Sequence, residues 1–299
     1  MPELPDVTVY VEALASRTIG HKLLQILIRG PFLLRTVNPP LESARGKTVH
    51  EVRRVGKQIV FGLEDELWLA LHLKIAGRLH WRAAGTKPAT KNSLATFEFD
   101  NGTLLLTEAG SQHRASLRLV SGEAGVNSLE AGGIEVLETD LRTFARALQS
   151  ENHTLKRALT DPRIFSGIGN AYSDEILHRA CLSPVVLTQR ITFSDIERLY
   201  GATREVLLEW VDRLRQETGE KFPEKVTAFR PAMAAHGKYG QPCTRCGVKI
   251  QRIRYASNET NYCPVCQTGG KLLADRGLSR LLREDWPKTP EELEDLKRR

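Results

Sequence analysis

The tetrapeptides Cys243-Thr244-Arg245-Cys246 and Cys263-Pro264-Val265-Cys266 decide the architecture of the carboxyl-terminal part of this chain. Together they read C-x2-C-x16-C-x2-C, the spacing at which four thiolates close a tetrahedral zinc site. Four cysteine ligands leave no open position for a catalytic water. We therefore predict one structural Zn2+ ion, bound by Cys243, Cys246, Cys263 and Cys266, that fixes a β-hairpin.

The opposite end of the chain begins Met1-Pro2-Glu3-Leu4-Pro5. Methionine is expected to be removed when a small residue follows it, and its removal leaves Pro2 with a free secondary amine beside the carboxylate of Glu3. A nucleophile and an acid then share one end of the chain. The alternative is that Pro2 and Glu3 only begin a helix, as proline and acidic residues commonly do.

The composition is basic, with 43 Lys and Arg against 36 Asp and Glu, a net charge of +7 and a pI of about 9.2. This balance favours a polyanionic partner, although a solvated basic surface gives the same numbers. No apolar run approaches the roughly 20 residues that span a bilayer, and no signal-peptide core is present. We expect a cytosolic protein with no membrane partner, in which the fifth cysteine, Cys181, is a buried reduced thiol.

The first half of the chain predicts a helix followed by strands. The helix extends from Asp6 to Gly20 and presents an apolar face with i, i+3, i+4, i+7 spacing. The runs with β character are Lys22 to Arg29, Val49 to Leu63, Leu67 to Leu73, Leu94 to Phe99, Leu104 to Leu106 and Ala115 to Val120. Asp100-Asn101-Gly102 is a hairpin signal. These runs predict a two-sheet β-sandwich or flattened barrel.

The second half predicts helices before the zinc hairpin. The helical patterns are Thr139 to Gln149, Thr154 to Thr160, Asn170 to Cys181 and Phe193 to Thr218. Residues 219 to 235 are predicted to form a loop, and Thr289 begins a short capped helix in the tail. The fold class is therefore α+β and multidomain.

Five motifs in order carry a family resemblance. They are Pro2-Glu3-Leu4-Pro5, Gly56-Lys57, His72-Leu73-x-x-x-Gly77, Gly167-Ile168-Gly169-Asn170-Ala171-Tyr172 and His236-Gly237-Lys238-x-Gly240-x-Pro242-Cys243. With the zinc spacing, they resemble the formamidopyrimidine-DNA glycosylase and endonuclease VIII family of base-excision repair enzymes over roughly residues 2 to 267. The resemblance implies a helix-two-turn-helix domain and, as partner, DNA containing a damaged base or an abasic site. The domains expected are 1–125 (catalytic β-sandwich with the first helix), 126–235 (helix-two-turn-helix), 236–267 (zinc hairpin) and 268–299 (tail).

The resemblance also implies roles for individual residues in a bifunctional DNA glycosylase and abasic-site lyase. The Pro2 amine adds to C1′ of a deoxyribose to give an iminium ion, and Glu3 moves protons. Strand cutting then follows by β-elimination or by β,δ-elimination. Lys57 completes the catalytic group by holding a phosphate. The expected DNA contacts are His72, Ile75, Arg114, Lys156, Asn170, Lys238 and Asn258. For His72, a hydrogen-bonded core histidine stays equally open.

Several positions depart from the family pattern. The hairpin usually presents an arginine where this chain has Asn258, and the residues that fill the vacated base stack align with Ile75, His113 and Ala115. Alanine cannot act as an aromatic wedge. An oxidised or deaminated pyrimidine, including uracil, is therefore an alternative substrate to 8-oxoguanine. A zinc-dependent protein that binds damaged or bent DNA without catalysis is the competing hypothesis, and we expect a monomer in either case.

Overall fold

The computed structural model describes residues 1–30, 32–87, 92–109, 114–224, 226–227, 229–255, 258–274 and 280–298. The chain divides into two compact units. The first comprises Met1–Ala131 with Glu209–Ala228, and the second Gly132–Leu208 with Phe229–Arg299. Among the described residues, no helix is long and apolar enough to cross a membrane.

The first unit contains an amino-terminal helix and a large antiparallel sheet. Its elements are α1 (Leu4–Thr18), β1 (Lys22–Ile28), β2 (Lys47–Val55), β3 (Gln58–Leu63), β4 (Leu67–His72), β5 (Gly77–Arg82), β6 (Ser93–Phe99), β7 (Thr103–Glu108), β8 (Ser116–Ser121) and α2 (Gly122–Asn127), with a 3-10 turn at Leu41–Ala44. The hydrogen-bonded strand order is β5-β7-β6-β1-β2-β3-β4-β8.

The sheet folds over one apolar core, which confirms the predicted sandwich. Strands β1 and β2 share only the pairs Lys22–Thr48 and Leu23–Lys47, so this short contact joins two four-stranded groups. Buried side chains from both groups and from α1 belong to the same cluster; examples are Tyr10, Leu104 and Leu117. Because successive side chains of a strand point to opposite faces, each group gives one face to this core.

Three features of the first unit differ from the sequence prediction. The single run expected from Val49 to Leu63 is two strands, because Gly56 adopts a φ of +59° and turns the chain. Strand β5 was not predicted, since its buried Leu79 alternates with half-buried polar side chains and the run is short. Helix α1 begins at Leu4, two residues before the predicted start at Asp6.

The second unit contains the predicted helices and the metal-binding hairpin. Its elements are a 3-10 turn at Val136–Glu138, α3 (Leu141–Gln149), α4 (Leu155–Thr160), α5 (Asn170–Arg179), the part of α6 (Phe193–Thr218) up to Leu208, β9 (Gln251–Tyr255), β10 (Asn258–Tyr262), α7 (Pro264–Thr268), a 3-10 turn at Arg283–Asp285 and α8 (Pro290–Arg298). Helices α4 and α5 with the hairpin confirm the predicted α+β class.

Candidate functional site

The amino terminus is buried at the start of α1. Glu3 and Asp6 are 3% and 2% exposed, and Pro2 is buried as well. Asp6 Oδ2 accepts a hydrogen bond from the Glu3 backbone at 3.0 Å, and the Glu3 side chain accepts one from the Asp6 backbone in return. This reciprocal capping fixes the first turn of the helix and therefore the position of residues 2 and 3.

The charges around this end of the chain act on its α-amine. With Met1 in place, burial lowers the pKa of the terminal amine, and Arg78 and Lys57 lower it further, while Glu3 and Asp6 raise it. Burial disfavours the protonated form of an amine. The surroundings of the amino terminus therefore favour a neutral, nucleophilic nitrogen.

Lys57 lies in the two-residue turn between β2 and β3. Val55 pairs with Gln58 across this turn, and a positive φ at Gly56 alone is the pattern of a type II′ hairpin, which needs glycine at its first position. Burial lowers the pKa of Lys57, while the carboxylate of Glu3 raises it and Lys74 lowers it. The fold thus brings the lysine within electrostatic range of Glu3.

His72 ends strand β4 beside this turn and is half-buried. His72 pairs with Gln58 of β3, and its Nδ1 accepts a hydrogen bond from the backbone N–H of Lys74 at 3.1 Å. Burial lowers the pKa of His72 to about 3, and the cations Lys74, Lys57 and Arg118 act in the same direction. The imidazole is therefore neutral at pH 7 with its proton on Nε2, which leaves a hydrogen-bond donor.

The loop after β4 presents Ile75. This side chain is 59% exposed, and the loop closes where Gly77 donates its N–H to the Leu73 carbonyl at 2.9 Å. A Cβ on Gly77 would lie 2.4 Å from that carbonyl oxygen, so only glycine fits. The motif His72-Leu73-x-x-x-Gly77 is therefore a turn that displays one apolar side chain.

A buried carboxylate that the sequence analysis missed fixes the strand entering β8. Glu108 is 1% exposed and accepts the backbone N–H groups of Arg114 and Ala115, each at 3.0 Å. Arg114 is exposed, whereas Ala115 is 2% exposed and belongs to the sandwich core. His113 lies outside the described residues.

In the second unit, Asn170 begins helix α5. Its amide Nδ2 donates to the Glu259 carbonyl in β10 at 2.9 Å. Lys156, expected to contact DNA, instead donates its Nζ to the Asn170 carbonyl at 2.7 Å and to Asp174 Oδ1 at 2.5 Å. Its side chain is only 12% exposed. Lys156 therefore supports the start of α5 from inside the unit.

Two adjacent acids in α5, also missed from the sequence, organise the neighbouring segments. Asp174 is fully buried and bonds to His236 Nδ1 at 2.8 Å and to Asn261 Nδ2 at 3.3 Å. Glu175 accepts the backbone N–H groups of residues 234, 235 and 236, each at 2.8 Å. Burial raises the pKa of Glu175 although these hydrogen bonds lower it. Two adjacent carboxylates in the middle of a predicted helix were the available signal.

The four predicted zinc ligands come together. The Sγ atoms of Cys243, Cys246, Cys263 and Cys266 all lie within 4.8 Å of one another. Zn–S bonds of about 2.3 Å in a tetrahedron separate the sulfurs by about 3.8 Å, so the cluster fits the ion. His178 Nε2 lies 3.2 Å from Cys243 Sγ and can orient that ligand. The residues present thus support the structural Zn2+.

Most basic side chains of the zinc hairpin have intramolecular partners. Glu259 lies 3.2 Å from Arg252 and 3.6 Å from Arg254. Lys249 pairs with Glu294 of α8 at 3.1 Å, and Lys238 Nζ donates to the Pro231 carbonyl at 2.8 Å. Asn258 is the first residue of β10, opposite Tyr255, and its side chain lies outside the described atoms.

Three family models match consecutive parts of the chain. They are the formamidopyrimidine-DNA glycosylase N-terminal domain over residues 1–109, the formamidopyrimidine-DNA glycosylase H2TH domain over residues 133–220, and a zinc finger found in FPG and IleRS over residues 240–269. The matches follow the order in which the sandwich, the helices and the hairpin occur.

Curated relatives match over nearly their whole length. The formamidopyrimidine-DNA glycosylase of Pelotomaculum thermopropionicum is 31% identical over 285 residues, covering 89% of this chain and 99% of the relative. The formamidopyrimidine-DNA glycosylase of Thermus thermophilus is 32% identical over 282 residues, covering 90% of this chain and 100% of the relative.

Solved structures of the Lactococcus lactis protein share the fold. Its complex with DNA containing an abasic site matches with a TM-score of 0.79 and 27% identity, covering 89% of this chain and 99% of that one. Its complex with Fapy-dG-containing DNA matches with a TM-score of 0.79 and 26% identity, covering 89% of this chain and 100% of that one.

Proposed function

The chain belongs to the formamidopyrimidine-DNA glycosylase family, and we propose that this DNA glycosylase removes a damaged base and then cuts the strand at the same sugar. The observation that carries this proposal is the buried, capped amino terminus, with Glu3 within electrostatic range of Lys57. A protein that only binds DNA does not need a terminal amine whose surroundings favour the neutral form of that amine.

Pro2 acts as the nucleophile once Met1 is removed. Its nitrogen forms a bond to C1′ as the glycosidic C–N bond breaks, and the base leaves with the bonding electron pair and gains a proton. Opening of the C1′–O4′ bond then gives an iminium ion, and the nitrogen has lost its own proton. No cofactor is needed for this covalent step, because the amine and the sugar supply both reacting atoms.

Glu3 supplies the proton for O4′ as the sugar ring opens. Its burial and its proximity to Lys57 support this role, since both hold the carboxyl group at the end of the helix that carries Pro2. The iminium makes a C2′ proton acidic. Its removal breaks the C3′–O bond and releases the 3′ strand with its 5′-terminal phosphate. A second elimination breaks the C5′–O bond and releases the 5′ strand with a 3′-terminal phosphate.

Lys57 and His72 hold the phosphate beside the reacting sugar. The lysine supplies charge and the neutral imidazole supplies its Nε2–H, so the pair binds an anion without neutralising Glu3. Arg114 contributes a further phosphate contact next to the segment fixed by Glu108, and Ile75 enters the space left by the extruded base.

The second unit holds the DNA backbone and keeps its binding surface in shape. Asn170 presents its side-chain amide at the start of α5, and we assign to this amide a contact with a phosphate of the DNA backbone. Lys238 and Asn258 contact the backbone from the zinc hairpin. Lys156 acts as a positioning residue through Asp174 and the Asn170 carbonyl. A DNA substrate places this activity in the cytosol with the nucleoid.

The preferred lesion follows from the residues that replace the usual wedge. Ala115 belongs to the sandwich core and cannot enter the base stack, which leaves Ile75 as the exposed apolar side chain of this region among the described residues. A small aliphatic wedge stabilises the vacated stack less than an aromatic ring does. An oxidised or deaminated pyrimidine, including uracil, is therefore kept as the alternative substrate to 8-oxoguanine.

A strand-cleavage assay tests the proposal. Protein confirmed to begin at Pro2 is incubated with duplexes containing an abasic site, 8-oxoguanine, uracil or an oxidised pyrimidine. We expect cutting of the abasic duplex and of at least one damaged duplex, and loss of both in Pro2→Gly with DNA binding retained. Binding without any cutting by the wild-type protein would leave the zinc-dependent binder as the correct account.

A further inference from the structure

Three cations that neither the motifs nor the proposed mechanism uses lie together on the first unit. Strand β8 pairs with β4 so that Ser116 lies opposite His72 and Arg118 opposite Ala70. Residues two apart on a strand share a face, and diagonal neighbours on adjacent strands come within reach of long side chains. Arg118 and His72 therefore project from the same face of the sheet.

Arg35 reaches this place from another segment. Its backbone N–H donates to the Leu117 carbonyl at 2.8 Å, beside Arg118. Lys74 follows His72 in the loop that displays Ile75. Burial lowers the pKa of Lys74, and the nearby charges of Arg118 and Arg35 lower it further.

Lys74 occupies a backbone conformation that disfavours a side chain. Its φ is +51°, in the left-handed region, where glycine carries no steric penalty and lysine does. The strained conformation also directs its N–H onto His72 Nδ1. Backbone strain of this kind concentrates at functional positions. At a position without a function, a glycine would fit this conformation better than a lysine.

The cluster has no neutralising acid. Within the described part of the chain, no carboxylate lies at ion-pair distance from Arg35, Lys74 or Arg118. Most hairpin arginines and lysines, in contrast, have such partners. Cations held together without a counter-charge repel one another, and an anion with several oxygens relieves that repulsion.

We propose that Arg35, Lys74 and Arg118 bind a phosphate of the DNA backbone, next to the phosphate held by Lys57 and His72. Together with Lys57 and His72, the cluster would hold two successive phosphates of the damaged strand on either side of the extruded nucleotide. This inference rests on the proposed function and adds three residues to the site.

The salt dependence of binding to a duplex with a tetrahydrofuran abasic analogue tests the cluster. Each lost phosphate contact lowers the slope of log Kd against log salt by about 1. We expect Lys74→Gly and Arg118→Gln each to lower the slope by that amount and to weaken binding about tenfold at low salt. A merely structural role would reduce the active fraction and leave the slope unchanged.

Lys74→Gly separates binding from folding. Glycine fits the positive φ, so this variant should melt at the wild-type temperature or above it while binding more weakly. Lys22→Gln is the matched control, because Lys22 is an exposed lysine of β1 whose backbone bonds to Asp100. It should keep the wild-type slope.

The outcomes distinguish this inference from the proposed function. Wild-type slopes in Lys74→Gly and in the double variant with Arg118→Gln, from a protein that cuts abasic DNA, would overturn the phosphate cluster alone. A wild-type protein that binds the analogue with the expected slope but cuts no abasic duplex would overturn the catalytic proposal and leave the cluster standing.

Discussion

Asn170 and Glu259 join the start of helix α5 to the zinc hairpin, since the asparagine amide donates to the glutamate carbonyl at 2.9 Å. Asn261, two residues further along β10, bonds to Asp174 of the same helix. The hairpin therefore has two supports besides the metal. Asn170, which we propose contacts the DNA backbone, is therefore positioned by the zinc hairpin, which we also propose contacts DNA.

Replacing Asp174 with asparagine should destabilise the second unit by about 3 kcal/mol. The substitution leaves the nearly buried ammonium of Lys156 without its charge partner and weakens the bond to His236. Urea denaturation measures the effect. Asp195→Asn, which removes a solvent-exposed pair with Arg198 in the same unit, should change stability by less than about 1 kcal/mol. Equal effects of the two substitutions would contradict a structural role for the buried network.

Glu108→Gln should destabilise the first unit by about 1 to 3 kcal/mol. Both carboxylate oxygens accept backbone N–H groups, and a glutamine side chain offers one acceptor while turning its NH2 group towards the other donor. Glu98→Gln in β6 provides a control in the same sheet, because Glu98 is partly exposed. A melting temperature unchanged by Glu108→Gln would show that the entrance to β8 does not depend on this carboxylate.

His72 should make the folded protein less stable as the pH falls below neutrality. Its pKa in the folded protein is about 3, whereas an unfolded histidine titrates near 6.5. Between these values the unfolded chain binds more protons than the folded protein, so the free energy of unfolding rises with pH. Above about pH 6.5 His72 no longer destabilises the folded protein.

The substitution His72→Gln keeps an acceptor for the Lys74 N–H and removes the titration. The difference in urea midpoint between pH 7 and pH 5 should therefore be smaller in the variant than in the wild type. Between pH 7 and pH 8 the two proteins should change alike. The same pH dependence in both proteins over the acidic range would rule out this histidine as its source.

Removal of zinc should abolish DNA binding and unfold the hairpin, because the ligand sulfurs hold β9, β10 and α7 together. Metal analysis should find one zinc per chain in the wild-type protein and in Cys181→Ser, and much less in Cys263→Ser. Cys181 serves as the control because its Sγ contacts Arg245 and lies outside the four-cysteine cluster. Full zinc content in Cys263→Ser would contradict the assigned ligand set.

The elements of the fold that depend on local pattern could be predicted from the sequence. The cysteine spacing identified the metal ligands, and apolar periodicity identified α3, α5 and α6. The turn at Gly56 was missed, because residues with β character stand on both sides of it and only the glycine conformation marks the turn. Strand β5 was missed because pairing with β7 stabilises it rather than its own composition.

Site residues that belong to a sequence motif could be predicted. Residues whose orientation depends on contacts between distant parts of the chain could not. Glu3 and Lys57 lie within electrostatic range of each other, and their catalytic roles stay a prediction. Lys156 faces inwards because its Nζ donates a hydrogen bond to Asp174, 18 residues away. His236 reaches the same carboxylate from 62 residues away. No spacing rule connects such positions, so only the fold reveals that Asp174 is their common partner.

Borohydride trapping tests the central claim most directly. Protein confirmed to begin at Pro2 is reduced in the presence of an abasic duplex, and the adduct is located by mass spectrometry of its peptides. We predict a stable adduct on the amino-terminal peptide, at the nitrogen of Pro2, with little or none formed by Pro2→Gly. An adduct on Lys57, or no adduct at all, would contradict Pro2 as the nucleophile.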